Sequence, residues 1–440
     1  MTDMERLKKM KIDTNTQKIS IGNVPVSELA ERFGTPLYVY DERKIRENYR
    51  RAYHVFSSRY EKFNMFYAVK CCNNPAIVNV LRQEGAGADC ASVNEILLAQ
   101  SQGFSGNKIM FSGNFLSDDD IRQGLETGVI FNLDDESILP RLLKFDRPDI
   151  LSFRINPGYG RSNVGEYVTN AGPNAKFGIH PDHVLNAYRA AKEAGIKRFG
   201  AHMMTGSCIT DSNYFPFVTG LLMDIIGNVS KELGIDFEFI DLGGGLGIPY
   251  EPGEPALDLD DAAEKTVRMF LKKCEEYHME PPYLEMEPAR YFVGNAGYLI
   301  GRVHSIKHSY CTIIGTDVGM NVLVRPAMYG SYHHIYVNGK EKHDRIPLGL
   351  CGQLCENTDF WVKKRMLPAD MEEGDLIVVE NAGAYGFGMS YQYNGRLRCA
   401  EVLVNDRDVH LIRTRETFED MIRHTHVPEY LSAGCHTQKD

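Results

Sequence analysis

The stretch NMFYAVK (residues 64–70) is an apolar run closed by a lysine. Short runs of aromatic and aliphatic residues without polar alternation read as strands buried on both faces, the kind found in parallel sheets. The same kind of run recurs as GAGADCAS (85–92), KIMFSG (108–113), VIFNLD (129–134), DILSFRINP (149–157), RFGAHMMTG (198–206), FEFIDLGGG (237–245) and YLEMEP (283–288). Between them lie segments with helical spacing, among them AIVNVLRQEG, VNEILLAQSQG, DHVLNAYRAAKEAG and AAEKTVRMFLKKCEEY. The first three of these close on glycine, as helix C-termini prefer. Eight β/α units over about 230 residues predict a TIM (β/α)8 barrel, with a doubly wound open sheet as the alternative.

Past residue 297 the rhythm changes. AGYLIGRVHSIKHSYCTIIGTD, DLIVVENAGAY and RCAEVLVNDRDVHLIRT read as β-runs with no helices between them, and HHIYVNGKE carries an Asn-Gly hairpin signal. The expected organisation is an N-terminal segment, 1–42, joining the β domain; a barrel over 43–297; and a β-rich C-terminal domain over 298–440. TPLYVYDERKI, near residue 40, is a lone strand ahead of the barrel that can pair with the C-terminal sheet.

The chain has 440 residues, a formal net charge of −10 and 43% hydrophobic residues. That balance argues against nucleic acid, whose binders carry a basic face; the short RLKK near the start is the one basic cluster. No apolar stretch approaches the roughly 18–20 residues a membrane span needs. The N-terminal residues show no signal-peptide core. The ten cysteines form no CxxC pair, so no zinc site is expected, and reduced thiols in a cytoplasm are the plain reading.

In a TIM barrel the chemistry gathers at the C-terminal ends of the strands. Lys70 ends the first, Asp89 and Ser92 the second, and His202, Met204 and Ser207 surround the end of the sixth. Gly243, Gly244 and Gly245 follow the seventh, and EPAR (287–290) follows the eighth. A glycine triplet is often only a tight turn, but after the seventh strand of a barrel it is placed to cradle a phosphate. A lysine at a strand end often only points to solvent. Beside a phosphate cradle it suggests pyridoxal phosphate, which needs an amine for its aldehyde and a partner for its ring nitrogen. Glu287 is the candidate partner.

FYAVK, GADCAS, LGGGLGIPY, EPARYFVGNAG, DVGMNVLVRPAMYGSYH, CENTDF and NAGAYGFGMSYQYNGR occur in that order. Together they resemble the alanine-racemase-fold, pyridoxal-phosphate-dependent decarboxylases, and among these the diaminopimelate decarboxylases, over roughly residues 35–425. The resemblance implies fold type III, a barrel with a β-rich second domain. It implies Lys70 as the lysine that carries the cofactor, and Gly243–Gly245, the EPAR loop and Tyr385 as its phosphate site. Glu287 falls at the ring nitrogen; Asp89, His202 and Ser207 also belong to the cofactor site. Arg290, Arg325, Tyr329 and Tyr385 match positions that bind substrate, and Glu356 matches the one that reads a far amino group. Cys355 matches a general acid that reaches across from the second subunit of a homodimer.

Two positions depart from the family pattern. HxHIGS is usual at the sixth strand, and Met204 stands where the second histidine would stack on the cofactor. EPGR is usual at the eighth, and Ala289 replaces the glycine, where a methyl could crowd a phosphate-facing N–H. The expected activity is decarboxylation of meso-diaminopimelate to L-lysine in lysine biosynthesis. Alternatives are the same chemistry on D-ornithine, D-lysine or a carrier-tethered amino acid, a racemase, or a non-catalytic relative.

Overall fold

The structure, a computed structural model, describes residues 10–164 and 169–432. The RLKK cluster lies outside the described residues. All eight predicted strands form: Phe63–Ala68, Gly87–Cys90, Ile109–Phe111, Ile130–Leu133, Ile150–Arg154, Arg198–His202, Phe237–Asp241 and Tyr283–Met286. They are parallel, run in sequence order and close into a barrel, with the eighth strand pairing back onto the first. The open-sheet alternative is therefore excluded. Helices Pro75–Gln83, Val93–Ser101, Pro181–Glu193 and Leu259–Glu276 occupy the predicted segments.

The barrel interior is plugged by Phe66, Met110, Ile130, Ile150 and Phe239. Two glycines make room for the largest of these. A Cβ on Gly87 would lie 2.4 Å from the Phe66 ring, and one on Gly200 would lie 2.1 Å from that of Phe239. Side chains alternate faces with period two, so the next inward positions are Asp89, His202 and Asp241, two residues past Gly87, Gly200 and Phe239. The plug thus ends and a polar floor begins at the C-terminal ends of the strands.

The second unit is a nine-stranded sheet. Leu37–Asp41 lies inside it, antiparallel to Gly297–His308 and parallel to Ala400–Asn405. The chain therefore passes through the β sheet at Leu37–Asp41, crosses to the barrel through helix Glu42–Ser57, and returns after the eighth barrel strand.

Three local readings change. The first barrel strand stops at Ala68, and Lys70 sits on a single 3-10 turn, Val69–Cys71. Ser92 caps helix Val93–Ser101 by accepting the Glu95 N–H at 3.3 Å. The Asn338-Gly339 turn forms, with the Lys340 N–H donating to Val337 O at 3.0 Å, but it closes no hairpin. Strand Ile335–Val337 pairs instead with Leu376–Val379, because the Glu341 carboxylate takes the Val337 N–H at 2.6 Å and turns the chain away.

Candidate active site

One cavity of about 290 Å³ opens at the C-terminal mouth of the barrel. Lys70, Asp89, His202, Met204, Ser207, Gly244, Gly245, Glu287, Ala289, Arg290, Arg325, Tyr329 and Tyr385 all line it. The ends of strands one, two, six, seven and eight and the second unit each contribute, so residues over 300 positions apart in sequence share one cavity. Gly243 is buried behind the loop and serves it from within.

The Lys70 ammonium donates to Asp89 Oδ2 at 2.6 Å. Burial disfavours its charge, but Asp89 and Glu287 outweigh this and hold the amine well above its ordinary value. Glu287 Oε2 lies 3.6 Å from His202 Nε2. Burial opposes ionisation of Glu287 too, yet His202, Lys70 and Arg154 prevail and keep its carboxyl below the usual range. Asp241 behaves oppositely: burial, with Glu287 and Glu285 beside it, pushes it well above the carboxylate range. One acid at this floor is thus shifted toward its ionised form and its neighbour toward its protonated form.

Arg290 and Arg325 form the far wall. Arg290 donates to Tyr250 Oη at 2.7 Å, and Arg325 donates to Ser331 Oγ at 3.2 Å. The Tyr385 ring lies 4.8 Å from one guanidinium carbon and 5.7 Å from the other. Burial pushes the Tyr385 phenol up to about 12. Neither arginine meets a carboxylate among the described residues, and Arg325 Nε is buried without a hydrogen-bond partner. Burial and the adjacent Arg290 both act against the charge on Arg325. His333 packs edge-on to Tyr250 at 5.4 Å, and burial with the nearby Arg325 lowers it to about 3, so it adds no third positive charge.

The glycine loop packs against backbone. A Cβ on Gly244 would lie 2.7 Å from Glu287 O, and Gly243 and Gly245 adopt φ of +66° and +107°. Ala289 is buried with its N–H turned to Glu287 O at 2.8 Å, and its φ is not positive. The expected crowding by its methyl does not arise at that N–H, which is already bonded inside the protein. In NAGAYG the glycines approach backbone rather than ligand: a Cβ on Gly383 would lie 2.0 Å from Val293 O. Tyr385 supplies the cavity face, at a strained φ of +55°.

These features fit pyridoxal phosphate. Glu287 Oε1, both His202 ring nitrogens and Asp89 Oδ1 are buried with no hydrogen-bond partner among the described residues. Such orphans are costly unless a polar group completes them. The amine, the ionised acid and the glycine cradle are what that cofactor's aldehyde, ring nitrogen and phosphate require.

Cys355 and Glu356 do not join the cavity. Both are exposed, on the loop before the turn Asn357–Asp359. Glu356 caps that turn through the Thr358 N–H at 3.2 Å. Sequence reading missed Arg154, Asp241, Tyr250 and Phe177. Arg154 lines the cavity and stacks on Phe177, its guanidinium carbon 4.3 Å from the ring centre. Its signal was available: in DILSFRINP, period two places Ser152 and Arg154 on the inward face.

Glu285, one inward step before Glu287, accepts from Asn64 Nδ2 at 2.9 Å, and burial raises its carboxyl to about 7. The folded chain therefore holds this proton more tightly than the unfolded one. The stabilisation is full below the ordinary value of 4.5 and is lost as pH rises through 7, about 3 kcal/mol in all. Glu285→Gln keeps the acceptor and removes the titration. In denaturant unfolding it should match wild type near pH 4.5 and exceed it at pH 8; equal stabilities at both pH values would contradict the burial argument.

Comparison with known proteins gives the same family as the geometry. The family described as pyridoxal-dependent decarboxylase, pyridoxal binding domain, matches residues 42–294. A diaminopimelate decarboxylase of Methanothermobacter thermautotrophicus is 44% identical over 413 residues, spanning 93% of this chain and 96% of that protein. One of Thermoplasma acidophilum is 37% identical over 412 residues, spanning 92% and 96%. The crystal structure of diaminopimelate decarboxylase from M. jannaschii in complex with L-lysine matches with a TM-score of 0.89 at 34% identity, covering 96% of this chain and 99% of that one. Matched by that family over more than half its length and by these relatives over nearly all of it, the chain belongs to the pyridoxal-dependent decarboxylases, on their diaminopimelate decarboxylase branch.

Proposed function

We propose that this enzyme decarboxylates meso-diaminopimelate to L-lysine and CO₂. The observation that carries the substrate is the pair Arg290 and Arg325, two buried guanidinium groups facing one tyrosine ring with no carboxylate of their own. A substrate with a second carboxylate at its far end supplies what they lack, and a guanidinium binds it through a two-pronged fork. Ornithine and lysine have no such group and would leave the pair uncompensated, which disfavours them.

Lys70 would hold the cofactor by its aldehyde, and Asp89 Oδ2, 2.6 Å away, can take the proton that the ammonium must shed first. Glu287 would keep the ring nitrogen protonated, steadied by His202. Ser207, Gly243–Gly245, the Ala289–Arg290 turn and Tyr385 would hold the phosphate, with Met204 against the ring. When bound, pyridoxal phosphate supplies an electron sink for the bond that releases CO₂. Arg290, Arg325, Tyr329 and Tyr385 orient the far end so that the departing carboxylate stays clear of their charge.

The proton donor and the reader of the far amine would come from a second copy. Cys355 and Glu356 are exposed and outside the cavity of their own chain, which supports a homodimer with shared sites. Mixing inactive Lys70→Ala and Cys355→Ala enzymes should then restore about a quarter of wild-type activity. Half of the randomly exchanged dimers hold both variants, and each of those keeps one intact site of two. No recovery after verified subunit exchange would place Cys355 in its own chain's site.

The nine described cysteines are unpaired, which supports a reducing, cytoplasmic setting. No described helix is long and apolar enough to cross a membrane. CO₂ release measured across meso-diaminopimelate, L- and D-ornithine, and L- and D-lysine tests the substrate. Turnover of diaminopimelate alone is expected; turnover confined to ornithine or lysine would overturn the assignment.

A further inference from the structure

Met204 follows the sixth barrel strand and stands where the family pattern has a ring-stacking histidine. Its side chain also contacts the phosphate loop. Of the three successive glycine N–H groups, that of Gly243 donates to Asp241 Oδ1 at 2.7 Å. That of Gly244 donates to Met204 Sδ at 3.0 Å. That of Gly245 meets no acceptor among the described residues, and Gly245 lines the cavity.

The packing around the loop leaves little freedom. A Cβ on Gly243 would lie 2.8 Å from Met204 Sδ and 3.0 Å from both Met203 O and Met204 Cα. One on Gly244 would lie 3.6 Å from Met204 Cε. The thioether therefore lies along the loop, its sulfur on one amide and its methyl beside the same residue. Two of the three amides are tied back into the protein, and the third is left for an anion.

We propose that Met204 is a positioning residue for the cofactor phosphate: by holding the Gly244 N–H, its sulfur turns the Gly245 N–H toward the cavity. The inference rests on the reading of this site as a pyridoxal phosphate site. A thioether is a weak acceptor, but it is uncharged at every pH, so this clasp does not titrate. An imidazole at the same place accepts only when neutral, and its ordinary value near 6.5 would make the clasp fail in mild acid.

The test is titration of the apoprotein with pyridoxal phosphate and, separately, with pyridoxal, which lacks the phosphate. Met204→Leu keeps the bulk and removes the acceptor. It should weaken pyridoxal phosphate binding about three- to tenfold more than it weakens pyridoxal binding. Measured against wild type at each pH, Met204→His should bind the phosphate form equally well at pH 8 and progressively worse toward pH 5.5. Equal losses for both ligands would mean that Met204 acts on the ring, and no loss for either would mean that it only fills space; each overturns the proposal. Apoprotein melting temperatures separate these outcomes from misfolding. Wild-type protein that binds neither ligand would instead refute the cofactor reading, independently of Met204.

Discussion

Lys70→Ala is expected to abolish the visible absorbance of the bound cofactor and to lower turnover by a factor on the order of 10⁴ or more. The fold should survive the change. The Lys70 side chain is 45% exposed to the cavity and sits on a turn, so its loss removes little packing. What it removes is the amine that donates to Asp89 at the barrel mouth, and with it the anchor for the aldehyde. Asp89 is left buried without its cation, so a modest stability loss should accompany the chemical one. Spectra of wild type and variant after cofactor loading, together with their melting curves, separate the two effects. An unchanged absorbance band in a folded variant would refute the role of Lys70.

Arg325→Met is expected to raise KM steeply and to cut kcat/KM for diaminopimelate at least a hundredfold. Truncating one partner of a buried charge pair costs about 3 kcal/mol or more. Stability should move the other way. Arg325 is 1% exposed, its Nε is unpartnered, and Arg290 lies near enough to oppose its charge. Replacing a buried, uncompensated cation with an apolar side chain of similar length should stabilise the apoprotein by about 1–3 kcal/mol. Affinity for substrate and stability of the empty fold are thus opposed at one residue. Steady-state kinetics and denaturant unfolding of the same variant check both signs. A variant that is less stable and kinetically normal would show Arg325 to be a structural residue instead.

The barrel was legible because each strand carries its own instruction. Parallel strands buried on both faces must be apolar throughout, and eight such runs alternating with helical segments leave few topologies. Lys70, Asp89, His202, Gly243–Gly245 and Glu287 could be placed at the barrel mouth for the same reason, since each ends or closely follows a strand whose direction the fold dictates. Arg154 was missed although the same period-two logic applies to it. Asp241 was passed over as the end of an apolar strand, and Tyr250 lies in a loop with no period at all.

Local sequence thus determined the barrel, the face on which the chemistry gathers and the identity of the residues at its strand ends, because hydrophobic period and glycine placement act over a few residues. Tertiary structure decided what those residues are. Asp241 and Glu287 are both buried acids. One is pushed up by burial and its carboxylate neighbours, and the other is held down against burial by His202, Lys70 and Arg154. Arg325 begins the short helix Arg325–Tyr329 and is buried against Tyr385, some sixty positions later. Cys355 opens the motif CENTDF and still lies outside the cavity. Such outcomes depend on burial and on charges brought close from distant parts of the chain, and no window of sequence contains them.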